Sequence, residues 1–338
     1  MRSDPFLMES KPQGRDFVRV WLGRSIALAI LAALLLANAI QAASQSSPPQ
    51  SPPIQSSPVQ PSPSEKPAPA ELVRQTVTAE LAVFEDPSVK HQFRSRKQTP
   101  RGSQTKLYVE THDAMAGMVI AYNDRPATEA ELAGEQAHLQ GLLDQPEQLR
   151  HKQSQEKEVT DRFVRILKAL PDVYVYEYDG TETATADFGK TGEPLVRLKF
   201  RPNPGYTPPS HLSEQALGGT QGTMLVDAER HRIARIEGTV FKDVNFGWGF
   251  FGKLDKGGHF LIAQSDVGDG TWEITHMTLS FTGKILLVKS FNMVSDEVLS
   301  DFRRVPANLT FSQGVDLLKA EQVKLAQNHA QSSAGSAH

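Results

Sequence analysis

Cysteine is missing from all 338 residues. That excludes disulfide scaffolds, Cys-ligated zinc, iron–sulfur clusters, thiol nucleophiles and an acylated lipobox together. Net charge is also scarce. Lys and Arg total 36 against 39 Asp and Glu, a balance of −3, so there is no electrostatic case for nucleic acid. Long apolar runs are short as well: the core from Ile26 to Ile40 falls below the ~20 residues that span a bilayer comfortably. Catalytic and metal motifs are thin. His112, His138, His151, His211, His231, His259 and His276 are scattered without H-E-x-x-H or H-x-H spacing. Asp266 and Asp269 resemble half of a calcium loop without its continuation. No G-x-S-x-G elbow occurs. Neither a metal nor a cofactor is expected, and no catalytic residue is assigned.

What is present starts with an export signal. Residues 1–24 carry five basic residues against three acids, and Ser25 to Ala43 follows without a charge. A basic region, an apolar region and small residues beyond it describe a secretory leader. Cleavage fits after Ala39 or Ala42, and translation could start at Met1 or Met8. Residues 1–42 are read as a signal peptide, with an uncleaved inner-membrane anchor as the alternative. The protein is expected in the periplasm or secreted. Any membrane contact would be transient or through that anchor.

Ala43 to Ala70 holds nine prolines and eight serines in 28 residues, an extended linker or disordered tail that cannot bury a core. Residues 71–106 are read as a transition: a helix near Leu72–Phe84, then a basic, irregular stretch from His91 to Arg101. Residues 107–311 form the main domain and 312–338 a C-terminal helix and disordered tail. Within the domain, 127–170 reads as two helices broken at Asp144-Gln145-Pro146. Val159, Phe163, Ile166, Leu167 and Leu170 make one apolar face, Arg150 to Glu158 projects into solvent, and Pro171 stops the second helix. Strands are expected at 107–110, 115–122, 173–178, 195–200, 223–227, 233–246, 260–267, 271–281 and 285–294. The turns between the later ones are short and rich in Gly or Asp, so these are successive hairpins. The fold class is α+β, with helices on an antiparallel sheet.

The run Gly222-Thr-Met-Leu-Val-Asp-Ala-Glu-Arg-His-Arg-Ile-Ala-Arg-Ile-Glu-Gly238 resembles the central strands of the LolA/LppX/RseB-like superfamily. Lys256-Gly-Gly-His-Phe followed by Gly270-Thr-Trp adds to the likeness, which is strong only from Gly222 to Phe291. The resemblance implies an antiparallel half β-barrel with the helical insert on or beside its concave face. Several members bind lipid or acylated protein there. It implies no catalytic residue.

Gly247-Trp-Gly-Phe-Phe-Gly252 matches G-x-G-x-x-G by letter. No helix can begin in the Lys253-Leu-Asp-Lys-Gly-Gly that follows, so a dinucleotide site is rejected. Its aromatics are the best binding candidates instead: Phe246, Trp248, Phe250 and Phe251 as the rim of a lipid cavity. The plainer reading is a packed barrel end. Tyr206, in the rigid loop from Arg201 to Ser210, is a gating candidate. Tyr174, Tyr176 and Tyr178 read as a groove lining or, more plainly, a wet sheet face. The function expected is a non-enzymatic envelope protein that binds a lipid, acyl chain or acylated protein. The alternatives are a periplasmic protein-binding or sensor module and an envelope hydrolase.

Overall fold

The computed structural model describes residues 67–207, 212–246, 252–268, 270–285 and 289–335. In chain order these hold α1 (Pro69–Glu85), β1 (His91–Thr99), β2 (Gly102–Val109), β3 (Ala116–Tyr122) and β4 (Arg125–Pro126). Then come α2 (Glu129–Asp144), α3 (Pro146–Val173), β5 (Tyr174–Thr183), β6 (Pro194–Pro202) and α4 (Leu212–Leu217). Next are β7 (Thr220–Asp227), β8 (Arg232–Val240), β9 (Val244–Phe246), β10 (Gly252–Leu254) and β11 (His259–Asp266). The last are β12 (Trp272–Ile285), β13 (Lys289–Arg304) and α5 (Phe311–Gly335).

All thirteen strands join one sheet in the order β4-β3-β2-β1-β13-β12-β11-β8-β7-β6-β5, with β9 and β10 attached to β12. The ends of that path do not meet. This is the α+β open antiparallel half-barrel expected from the sequence.

Helices cover both faces, each in a different place. On the inner face, α1 and α3 bury Leu72, Val73, Val77, Phe163, Leu167 and Leu170 against Leu198, Phe200, Met224, Phe260 and Met277. On the outer face, α2 and α5 pack over β2 and β3, where Leu139, Leu142, Phe311 and Leu318 meet Leu107, Val109 and Met118. Leu107 and Val109 alternate with Tyr108, which belongs to the inner cluster, so the two groups lie on opposite sides of the strand. The helical insert is therefore divided between the faces. A smaller outer cluster, including Phe188, Leu195, Leu225 and Trp272, lies under the β5–β6 connection.

Local chemistry sets the boundaries. Thr128 and Glu131 form a reciprocal capping box that starts α2. Pro146 opens α3 in the first turn, where its missing N–H is not needed. Four local expectations are corrected. Pro171 does not stop α3, which runs on to Val173; a proline this close to the end costs one bond in the last turn. The first half of α3 is not free in solvent: Glu156 pairs with Lys152 at 2.6 Å and accepts from the Met115 amide at 3.1 Å. The stretch His91–Thr99 is a strand, because His91, Phe93 and Ser95 alternate inward between outward Gln92, Arg94 and Arg96. Thr282-Gly283 lies inside β12, and Gly283 is required by close approach: a Cβ there would sit 2.2 Å from the Lys253 carbonyl.

Candidate functional site

The inner face is covered by α1 and α3, and its buried Tyr174, Tyr176 and Glu80 have hydrogen-bond partners. Tyr174 and Tyr176 are buried at 3% and 6% exposure, which corrects the wet-face reading. The Tyr176 hydroxyl donates to the Leu170 carbonyl at 2.8 Å, and the Tyr174 hydroxyl bonds Thr220 Oγ1. Burial drives both phenols well above their ordinary range. Glu80 of α1 is also buried. It accepts from the Ile233 amide at 2.7 Å and Gln264 at 3.3 Å, and pairs with Arg232 at 3.1 Å. Burial raises its carboxyl, outweighing the lowering by Arg232, Ile233 and Gln264. The cavity beside this group, lined by Phe84, Phe163 and Trp272, is about 40 Å³. Ordinary ligand sites occupy roughly 300–1,000 Å³.

Two of the sequence candidates pack on this face. Phe246 is 8% exposed and packs into the inner cluster with Val240, Val244, Leu254, Ala216 and Leu217. Ala216 and Leu217 belong to α4. Tyr206 is half-buried against the same cluster, and its amide donates to the Asn203 carbonyl at 3.1 Å. Its hydroxyl is raised by burial first and then by the charges of Glu214 on α4 and Asp172 on α3. Phe246 pairs with Gly252 across the β9–β10 ladder. Trp248, Phe250 and Phe251 lie outside the described residues.

Sequence reasoning missed one wide described space. Across the outer face of β5, β6, β7, β8, β11 and β12 runs an open trough of about 740 Å³. Its side chains include Glu177, Lys199, Arg201, Gln221, Thr223, Glu237, Thr239, His259 and Leu261. Such residues are legible only as the polar half of each strand alternation, which looks the same whether the surface is flat or hollow. The trough brings two acids and a histidine together, yet the acids are poorly placed for paired catalysis. Glu177, Lys199, Thr223 and Glu237 stand in successive register across four strands. Three strand spacings make ~14 Å, beyond the ~5–9.5 Å of carboxylate pairs in glycoside hydrolysis. Arg201 pairs with Glu177 at 3.2 Å, and Arg235 with Glu237 at 3.3 Å.

Beside the trough, His276 Nε2 lies 2.9 Å from Asp296 and 3.4 Å from Thr278 Oγ1. A relay needs the acid and the nucleophile on opposite ring nitrogens, and here both face one. Burial raises Asp296, but the His276 and Thr278 hydrogen bonds outweigh it and leave the carboxyl below its usual range. The basic run on β1 is largely neutralised: Arg94 pairs with Asp301 at 3.2 Å, Arg96 with Asp124 at 2.6 Å and Lys97 with Glu297 at 3.3 Å. Among the described residues no His, Asp and Glu group could hold a metal ion. No helix among them is long and apolar enough to cross a membrane.

No family model matches the chain, and no curated protein matches it by sequence. Similar solved structures include the following two. One is an outer membrane lipoprotein-sorting protein domain from Vibrio parahaemolyticus, at 8% identity and TM-score 0.30, covering 74% of this chain and 97% of that one. The other is a DUF1329 family protein from Desulfovibrio piger, at 10% identity and TM-score 0.26, covering 70% of this chain and 93% of that one. At these TM-scores neither carries an argument about function, and the open half-barrel rests on the chain's own sheet.

Proposed function

We propose that the chain is an exported, non-enzymatic binding module of the cell envelope whose ligand is another envelope protein. Residues 1–42 are its leader or anchor and 43–70 its extended tether. The observation that carries this reading is the covered inner face. Beside Glu80, between α1, α3 and the strands, the described cavity holds about 40 Å³, below the size of ordinary ligand sites, and an open trough of about 740 Å³ lies on the outer face.

A second reading keeps lipid or acylated-protein binding around Phe246, with Tyr206 on the same face. It is favoured by the apolar surroundings of Phe246, Val240, Val244, Leu254 and Leu217, and by the three further aromatics that follow Phe246 in the sequence. Phe246, Trp248, Phe250 and Phe251 would form its rim and Tyr206 its gate.

Native mass spectrometry of the exported chain, recovered from an envelope extract without detergent exchange, separates the two. Recovery of the bare chain or a protein complex supports the module. A stoichiometric lipid overturns it in favour of the second reading, and loss of that lipid in Trp248→Ala with Phe251→Ala would confirm the rim.

A further inference from the structure

We infer that residues 289–295 of β13 form an open strand edge that takes an extended, acid-flanked segment of a partner protein as an added antiparallel strand. The inference rests on the binding-module reading and gives that module a contact surface.

The β12–β13 hairpin extends past the strands that flank its base, and its two sides are treated differently. On the β12 side, β11 ends at His259 opposite Ser280, and β10 then continues the line as far as Gly252 opposite Ile285. On the β13 side, β1 ends at Gln98 opposite Asp296. Among the described residues no strand continues it, so 289–295 is paired only with β12.

The direction of the free groups follows from one bond. The Thr282 carbonyl accepts from the Asp255 amide at 2.9 Å, so Thr282 turns its backbone groups toward β10 and away from β13. Asn292 stands opposite Thr282 and therefore points its N–H and C=O outward. By alternation, so do Ser290 and Val294. Three donors and three acceptors thus face the open side over seven residues, roughly 24 Å of strand. Unpaired edges of this length are templates for strand addition.

The side chains describe the occupant. Phe291 and Met293 lie on the inner-face side, partly buried against the core, so the added strand needs apolar residues at alternate positions. Val294 is 39% exposed on the other side. Lys284 and Lys289 stand exposed at the hairpin end and Arg101 at the β1–β2 turn. None of the three has an ion-pair partner among the described residues, which calls for acids at both ends of the segment. A second copy fits less well. Laid antiparallel about Asn292, it brings the Lys289 end of one copy to the Arg101 turn of the other, cation against cation.

The test uses the exported chain and the nonapeptide Glu-Glu-Val-Thr-Val-Thr-Val-Glu-Glu, with a Lys-ended version as control. Binding is measured by anisotropy of a label on the peptide. The acidic peptide is expected to bind and the Lys-ended one to bind at least about tenfold more weakly. Asn292→Pro removes an outward N–H and spares the β12 ladder, so it should cost about tenfold or more. Lys284→Glu with Lys289→Glu, both on the surface, should cost several-fold without any backbone change. No binding of the acidic peptide, or equal binding by both variants, overturns the inference. Dimerisation that Asn292→Pro abolishes also overturns it, by assigning the edge to a second copy. An envelope partner held equally by wild type and both variants sinks the edge and leaves the binding module standing.

Discussion

The same central strands present two surfaces that obey different rules. Inward, Leu198, Met224, Ile236 and Ile262 are under 4% exposed beneath α1 and α3, and Tyr176 and Glu80 there are hydrogen-bonded. Outward, one residue along each strand, Lys199, Thr223, Glu237 and Leu261 line an open trough with salt bridges at its sides. The inner surface is where stability resides, because burial there removes apolar area from water. The outer surface is where a partner can be met at little cost to the fold.

The largest effects should follow from breaking the inner surface. Phe163, 2% exposed and packed on Phe84 at 5.0 Å between ring centres, should lose about 3–5 kcal/mol as Phe163→Ala. A thermal melt should fall on the order of 10 °C. A change under ~1 kcal/mol would show that α1 and α3 are only loosely seated, and would reopen the inner face to lipid. Glu80→Ala should cost a similar ~3–5 kcal/mol, because it strands Arg232 in a dry site. Glu80→Leu with Arg232→Met should recover most of that loss, since two buried charges leave together. The pH response sharpens the point. The Glu80 carboxyl is raised above 4.5 in the fold, so its contribution favours the fold on the acid side and is lost as pH rises through the folded value. The double variant should therefore lose stability less steeply as pH rises above the ordinary carboxylate range in urea titrations.

A smaller inner effect tests the tyrosine pair. Tyr176→Phe leaves the ring and removes the bond to the Leu170 carbonyl, which should cost about 1–2 kcal/mol in urea denaturation. A neutral result would mean that water already serves this carbonyl, and that the face is wetter than its burial suggests.

Much of this contrast was legible in the chain. The alternation at Leu195–Phe200 and the i, i+4, i+7 spacing of Val159, Phe163 and Ile166 announce which residues turn inward. The break at Gln145 was legible from Pro146. Other features were not, for physical reasons. His91–Thr99 carries only Phe93 as a large apolar residue, so its strand depends on pairing with β2 and β13, contacts that are distant in sequence. Tyr174 and Tyr176 look amphipathic until α3 and Thr220 supply partners for their hydroxyls. Thr282-Gly283 has turn composition, but β10 brings its backbone against Gly283 and demands glycine there for space. The trough and the β13 edge depend on how strands end relative to one another, which no local pattern encodes.

The next effect lies at the boundary of the comparison, where α2 caps the outer face over β3. Thr128→Ala removes the oxygen that accepts from the Glu131 amide and should cost about 1 kcal/mol. Glu131 is held down to about 2, first by the hydrogen bond from Arg125 and then by the Thr128 amide. A depressed carboxyl supports the fold above its ordinary 4.5 and loses that support as pH falls toward 2, so amide exchange in the first turn of α2 should quicken in that window. In Arg125→Ala the quickening should begin at higher pH.

The smallest effect is also the sharpest check on the outer surface. Arg201 and Glu177 are 56% and 62% exposed, and solvent screens their 3.2 Å contact. Arg201→Ala should therefore change the stability read from urea denaturation by less than about 0.5 kcal/mol. If the trough serves the partner as well as the β13 edge does, that variant should weaken partner binding while its melt stays unchanged, a separation that no inner-face substitution can produce. A melt that falls as far as that of Phe163→Ala would mean the outer strands also depend on their salt bridges for stability, and the division between a stabilising face and a recognising face would have to be abandoned.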